Sequence, residues 1–325
     1  MKLHRRRFLH LAAGSVSLPS VPRAAWSQTY PARPVRLVVG FPAGSSPDIV
    51  ARIIGQWLSE RLGQQFFIDN RPGAGSNLAT EAVVRAAPDG YTLLEATSTN
   101  VWNMSLYEKL NFDFVRDIAP VASINLTSGV MEVNPSFPVN TVSEFIVYAR
   151  ANPGTINIGT TDTGGSPKLF AELFKMMTGV KLVEVPYRTT TGAITDLIGG
   201  RLQVMFNTMI VSIENIRAGR TRPLGVTTAM RLEMLPDIPT VAESVGGYEA
   251  VPWLGIGAPR NTPAEIVDKL NKEINAGLAD PRVNARLAGL GAMVFAGSPV
   301  DFARFITKEI EKWDKVIRGA NLKAE

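Results

Sequence analysis

The 325-residue chain contains no cysteine, and its two histidines, His4 and His10, both fall within its first ten residues. Those ten residues carry the sequence HRRRFLH, in which the Arg5-Arg6 pair is followed by Phe8-Leu9. A short, weakly apolar stretch from Leu9 to Val21 comes next, broken by Gly14 and Pro19. This is the pattern of a twin-arginine export signal, with an ordinary Sec signal holding an arginine run as the alternative; both lead out of the cytoplasm. Small residues around Ala25-Trp26-Ser27 place the cleavage point, so residues 1–27 are expected to be removed and the mature chain to begin at Gln28. Without His or Cys beyond that point, a Ser-His-Asp or Cys-His arrangement, a zinc site of the usual ligands and a disulfide are all excluded. No cofactor is implied. With no cysteine to carry a lipid and no long apolar run after the signal, the expectation is a soluble periplasmic monomer without membrane insertion.

Excess charge is missing too. Five of the 34 basic residues (Lys2, Arg5, Arg6, Arg7 and Arg23) lie in the signal and no acidic one does, leaving 29 basic against 29 acidic residues. The basic overall balance is therefore no argument for nucleic acid or anionic lipid as a partner. The chain also lacks G-x-x-x-x-G-K-[ST], G-x-S-x-G and S-x-x-K. Gly73-Ala74-Gly75 falls short of a dinucleotide fingerprint because Leu78 stands where the third glycine belongs. No paired-carboxylate spacing stands out, which leaves an enzyme using Asp/Glu pairs or a lysine as the weaker competing class.

What is present is a motif that occurs twice, 120 residues apart from Ser46 to Ser166. The copies read VRLVVGFPAGSSPDIVARIIGQWL and INIGTTDTGGSPKLFAELFKMM: an apolar strand, a Gly/Ser-rich loop, then Ser-Pro opening an amphipathic helix. Ser46 and Ser166 are placed to cap their helices, with Pro47 and Pro167 at the first helical position, where no N–H is needed. A single capped strand-to-helix turn is ordinary in α/β proteins. Two such helix starts facing across a cleft would present unpaired N–H groups and positive dipole ends to a small anion from both sides.

Strand-like and helical patterns alternate along the rest of the chain, which predicts an α/β fold with mostly parallel sheets. Strands are expected at 35–40, 65–69, 91–96, 128–133, 182–185, 204–207, 224–227 and 254–258, besides the one entering the second motif. Helices are expected at 47–62 and 78–87, from the Thr141/Glu144 capping box to Ala151, and in a tail with starts at Thr262-Pro263, Asp280-Pro281 and Ser298-Pro299. The repeat implies two units with junctions near Ile124 and Pro252. Domain 1 would then comprise 28–124 and 253–325 and domain 2 residues 125–252, hinged so that a cleft closes on ligand.

Several side chains could act in that cleft. Asp48 suits a helix start, whereas Lys168 opposes its helix dipole unless it faces an anion; the alternative is that it points to solvent. Arg188, in Pro186-Tyr187-Arg188-Thr189-Thr190-Thr191, follows a strand end and could pair with a carboxylate, or could be a surface arginine before a helix cap. Thr97-Ser98-Thr99-Asn100 also ends a strand. Trp253 and Met176-Met177 read as core.

In order along the chain, YPARPVRLVVGFPAGSSPDIVAR, IDNRPGAGSNLATEAVVRAAPDGYTLL, KLFAELFKMMTG, VEVPYR, TDLIGGRLQVMF and LPDIPTVAES resemble the Bug family. These are the substrate-binding receptors of tripartite tricarboxylate transporters, and the resemblance runs from Tyr30 to the C-terminus. It implies a type II, Venus-flytrap periplasmic binding protein of two α/β domains, whose partners are a small organic carboxylate and the transporter's membrane components. Carried over by motif, the cleft residues are Phe41, Pro42, Ala43, Gly44, Ser45, Ser46 and Asp48 on one side. Thr160, Thr161, Gly164, Gly165, Ser166 and Lys168 stand on the other, and Ser98, Thr99, Tyr187, Arg188, Thr189 and Asn207 complete the lining. Ser45 replaces a common glycine, Lys168 a common His, Arg188-Thr189 a common Lys-Gly, and Asn207 a common Asp. The last three changes favour a ligand with at least two carboxylates, bulky or aromatic ones included. Asp48 leaves an amino acid ligand open, and a ligand-presenting sensor would use the same cleft.

Overall fold

A computed structural model describes residues 30–161, 166–319 and 322–323. The expected export signal, and Gly164 and Gly165 of the second loop, lie outside the described residues. The strands are β1 (Val35–Val39), β2 (Phe66–Asn70), β3 (Thr92–Thr97), β4 (Ile118–Thr127), β5 (Gly129–Val133), β6 (Asn157–Thr161), β7 (Val183–Tyr187), β8 (Val204–Thr208), β9 (Arg222–Val226), β10 (Trp253–Pro259) and β11 (Ala292–Val294). The helices are α1 (Ser46–Leu62), α2 (Asn77–Val84), α3 (Ser98–Leu106), α4 (Phe114–Asp117), α5 (Val142–Ala151), α6 (Ser166–Thr178), α7 (Thr190–Ile198), α8 (Met209–Arg217), α9 (Ala264–Ala279), α10 (Pro281–Gly289) and α11 (Pro299–Gly319).

These elements build two sheets, a six-stranded one in the order β11-β4-β10-β3-β1-β2 and a five-stranded one in the order β7-β6-β8-β5-β9. The expectation of mostly parallel sheets is only half met. β1 runs parallel to β2 and β3, and β6 parallel to β7 and β8, because α1, α2, α6 and α7 supply the long crossovers that parallel neighbours require. Each sheet also receives one strand from the other: β10 returns to the first, and β5 enters the second. Each runs against both its neighbours, since it starts at the end where the resident strands finish.

The strand β4 was not anticipated, because IAPVASINLT holds a proline and does not alternate. It stays with the first sheet to Thr127, so the change of sheet comes at Ser128 rather than near Ile124. The two crossing segments are tied together there. Thr127 N–H donates to Pro252 O (2.8 Å), Gly129 N–H to the Thr227 hydroxyl (2.7 Å), and that hydroxyl to Ala250 O (2.6 Å).

Burial of apolar helix faces holds the layers. Val50, Ile53, Ile54, Trp57 and Leu58 of α1 are all buried, each worth about 1.5–3 kcal/mol when fully removed from water. The Trp57 indole N–H donates to Glu273 O (2.8 Å), fastening α1 to α9. On the second sheet Phe174 packs against Phe206 with ring centroids 5.4 Å apart. Trp253 is buried as expected, whereas Met176 is exposed and only Met177 packs against the core. No helix among the described residues is long and apolar enough to cross a membrane.

Candidate functional site

Resident strands of both sheets end at one cleft, the position where open α/β sheets hold ligands. Two cavities occupy it, an inner one of about 60 Å³ and an outer one of about 90 Å³. They share Phe41, Ser45, Thr161 and Thr190, so the two cavities adjoin.

Five helices begin at the inner cavity. Its lining takes Ser45 and Ser46 from the start of α1, Thr97 to Thr99 from α3, Ser166 and Pro167 from α6, Thr190 from α7, and Thr208 and Val211 from α8. Among the described residues, no charged side chain lines it. Positive helix ends around a neutral, hydroxyl-rich wall are suited to an anion. Three polar atoms of the described lining lack a partner in the structure: the Ser45 hydroxyl, the Trp253 indole Nε1 and Asn207 Nδ2, the last on a residue only 1 % exposed.

The first motif folds differently in detail from the expectation. Ser45, extended at φ −75° and ψ 162°, is the cap of α1, and Ser46 is already helical. Its hydroxyl caps nothing; the loop is held by Asp48 instead. That carboxylate accepts from Gly44 N–H (2.9 Å), from the Arg52 guanidinium (3.0 and 2.8 Å) and from the Asn70 amide (2.9 Å). Burial pushes Asp48 up, but Arg52, Gly44 and Asn70 together hold it below the ordinary carboxylate range. Gly44 needs its missing side chain, having φ +79°. Asp48 therefore secures the loop and lines neither cavity.

Ser98 and Thr99, expected in a loop, form the first turn of α3. Thr97 caps that helix: its hydroxyl accepts from Thr99 N–H (3.2 Å), and its own N–H donates to Asn100 Oδ1 (2.7 Å). Ser98 Oγ accepts from Trp253 N–H (2.7 Å), which fixes the cavity floor to β10.

Of the sequence-predicted residues, Phe41, Ser45, Ser46, Ser98, Thr99, Thr161, Ser166 and Asn207 meet at the inner cavity. Pro42, Ala43, Arg188 and Thr189 meet at the outer one. Gly44, Thr160, Lys168 and Tyr187 line neither. The Tyr187 hydroxyl donates to Asp196 (2.7 Å), and burial and that bond push it up to about 12. Burial lifts Glu184 of β7, and hydrogen bonds with Glu172 and Lys175 bring it down, with the charge of Lys168 the smallest of the lowering contributions.

Sequence reasoning missed the far wall of the outer cavity, Pro72 to Ser76. Its signal was a Gly-rich run at a strand end, dismissed as a failed dinucleotide fingerprint. Ala74 and Ser76 hold left-handed backbone at φ 47° and 74°, strain of order 1–3 kcal/mol each that tends to collect at ligand sites. Gly40, directly after β1, has to lack a side chain here, because a Cβ on it would stand 1.9 Å from Ser76 Oγ.

Protein BugT of Bordetella pertussis is 33% identical over 302 residues, 91% of this chain and 93% of BugT. A solved R. palustris protein with adipate is 38% identical at a TM-score of 0.87, covering 90% of this chain and 99% of that one. MatC from Rhodopseudomonas palustris with bound malate is 31% identical at 0.83, covering 89% and 100%. The profile of the tripartite tricarboxylate transporter family receptor matches residues 50–322. On these matches the chain belongs to the tripartite tricarboxylate transporter receptor family, whose members are solute-binding receptors rather than enzymes.

Proposed function

We propose that this chain is a periplasmic receptor that captures a di- or tricarboxylate between its two sheets and delivers it to the membrane components of a tripartite tricarboxylate transporter. The observation that carries the reading is the pairing of cavities: among the described residues, an inner one ringed by five helix starts has no charged lining side chain, and an outer one has Arg188 as its single charged lining residue. One carboxylate fits the inner wall of hydroxyls and N–H groups, and the second reaches Arg188. Similar proteins solved with adipate and with malate support this ligand class. An amino acid ligand would need a carboxylate to meet its ammonium group; among the described residues none lines either cavity, and Asp48 is committed to Gly44, Arg52 and Asn70. Export through residues 1–27 is part of the same reading.

Titration calorimetry with adipate and with hexanoate, its monocarboxylate counterpart, tests it. Arg188→Ala should weaken adipate about fivefold if the pair stays exposed and up to a hundredfold if water is excluded, with hexanoate nearly unaffected. Lys168→Ala should match wild type on both. Failure of wild type to bind any of adipate, malate, succinate or citrate would overturn the reading.

A further inference from the structure

Behind the cavity wall lies a buried polar cluster that ligand contact alone does not require. Glu132, in the middle of β5, has no exposure to solvent. It stands between β8 and β9, opposite Met205 on one side and Pro223 on the other. Its Oε1 accepts from the Ser212 hydroxyl of α8 (2.5 Å), one residue past cavity-lining Val211. Three further atoms are buried and unpaired together: Glu132 Oε2, Thr221 Oγ1 and Asn207 Nδ2. Asn207 lies opposite Val130, so on β8 it faces the same side of the sheet as Glu132. It lines the inner cavity as well. Its Oδ1 is taken by Thr208 N–H (2.9 Å), which leaves only the Nδ2 hydrogens to be shared between the carboxyl behind it and a ligand in front.

We infer that Glu132 is a positioning residue that competes with the bound carboxylate for Asn207, so that ligand capture is coupled to uptake of one proton. This rests on the carboxylate reading above. With Glu132 ionised, Asn207 is drawn back towards the sheet, and the arriving anion meets a second negative charge across one side chain. With Glu132 protonated, both the repulsion and the competition vanish, and Asn207 donates into the cavity. Burial raises the Glu132 carboxyl above its ordinary range, and the donors around it, Ser212 first and then Thr221 and Asn207, oppose that rise.

The groups facing Glu132 are neutral on every element packed against it: Asn207 on β8, Ser212 on α8 and Thr221 before β9. The nearby charges are occupied, Arg222 by the carbonyls of Pro135, Phe137 and Val139, and Glu214 of α8 by Arg217 on the exposed surface. Glu132 is thus the titrating group of this cluster.

The test is calorimetric titration of wild type, Glu132→Gln and Ser212→Ala with adipate between pH 5.5 and 8.5. For wild type it is repeated in buffers of different ionisation enthalpy, which counts protons taken up without any substitution. Wild-type affinity should fall as pH rises, by up to about tenfold per pH unit, with close to one proton taken up at the steepest point. Glu132→Gln, which keeps the Ser212 acceptor, should bind as wild type does at low pH and lose the slope; any slope from the ligand's own ionisation would persist in it. Ser212→Ala should keep the slope and shift it to higher pH, since the ionised carboxyl loses a donor. Binding with a flat wild-type profile, or a slope retained in Glu132→Gln, overturns the coupling while leaving the carboxylate reading intact. Absence of binding at every pH overturns both.

Discussion

Replacing Glu95 with leucine should stabilise this protein, although the residue lies in the centre of the first sheet. Glu95 of β3 is opposite Ile256 of β10, has no solvent exposure, and neither carboxylate oxygen has a hydrogen-bond partner in the structure. Burial pushes its carboxyl well above the usual range, and the charge of Asp48 adds to the shift. An unpaired polar group in a folded interior costs about 1–3 kcal/mol, whereas a leucine of similar volume contributes its burial without that cost. The expected gain near pH 7 is therefore about 1–3 kcal/mol. The pH dependence has a definite sign: because the folded pKa exceeds the unfolded value of about 4.3, the native state holds the proton more tightly. Wild-type stability from this group is intact below the unfolded pKa and declines as pH rises towards the folded one. Glu95→Leu should escape that decline, so its advantage should grow from pH 4.5 to pH 7.5. Urea unfolding at the two values measures both quantities. A loss of 1 kcal/mol or more, or an advantage that does not change with pH, would refute the reasoning and mean that the carboxyl holds a partner it needs.

Two other outcomes follow from the same geometry. Asp48→Asn should cost about 1–2 kcal/mol, because it removes the charge paired with half-exposed Arg52 and one of the two oxygens that accept from Gly44, Arg52 and Asn70. Since the Asp48 pKa is held below its unfolded value, the wild-type contribution is present above about pH 4 and lost as pH falls below it, so the two proteins should converge in acid. Thermal melts at pH 3 and pH 7 check this. Ligand contacts from both sheets imply closure on binding, and X-ray scattering should record a smaller radius of gyration with saturating adipate than without; an unchanged radius would sink the clamp.

The local elements were legible because their signals are local. Ser-Pro pairs, the Thr141/Glu144 box and the Asp280-Pro281 start act within one helical turn, and the helices begin within a residue or two of where those signals stand. The two similar motifs likewise pointed to Ser46, Thr161 and Ser166, which the fold brings to one cavity. The α/β class and the family resemblance were readable for the same reason: periodicity and motif order are properties of the chain alone. What the chain could not disclose is where each polar group finds its partner. Asp48 and Lys168 carry charges at equivalent places in the two copies, yet the first is consumed by Arg52, 4 residues on, and by Asn70, 22 residues on. The second lines neither cavity and only weakly lowers Glu184. Which of two cations, Arg188 or Lys168, lines a cavity, which strand runs antiparallel, and that Glu132 and Glu95 are buried without full hydrogen bonding are consequences of long-range packing. Only the assembled sheets decide them, because desolvation and pairing depend on neighbours distant in sequence.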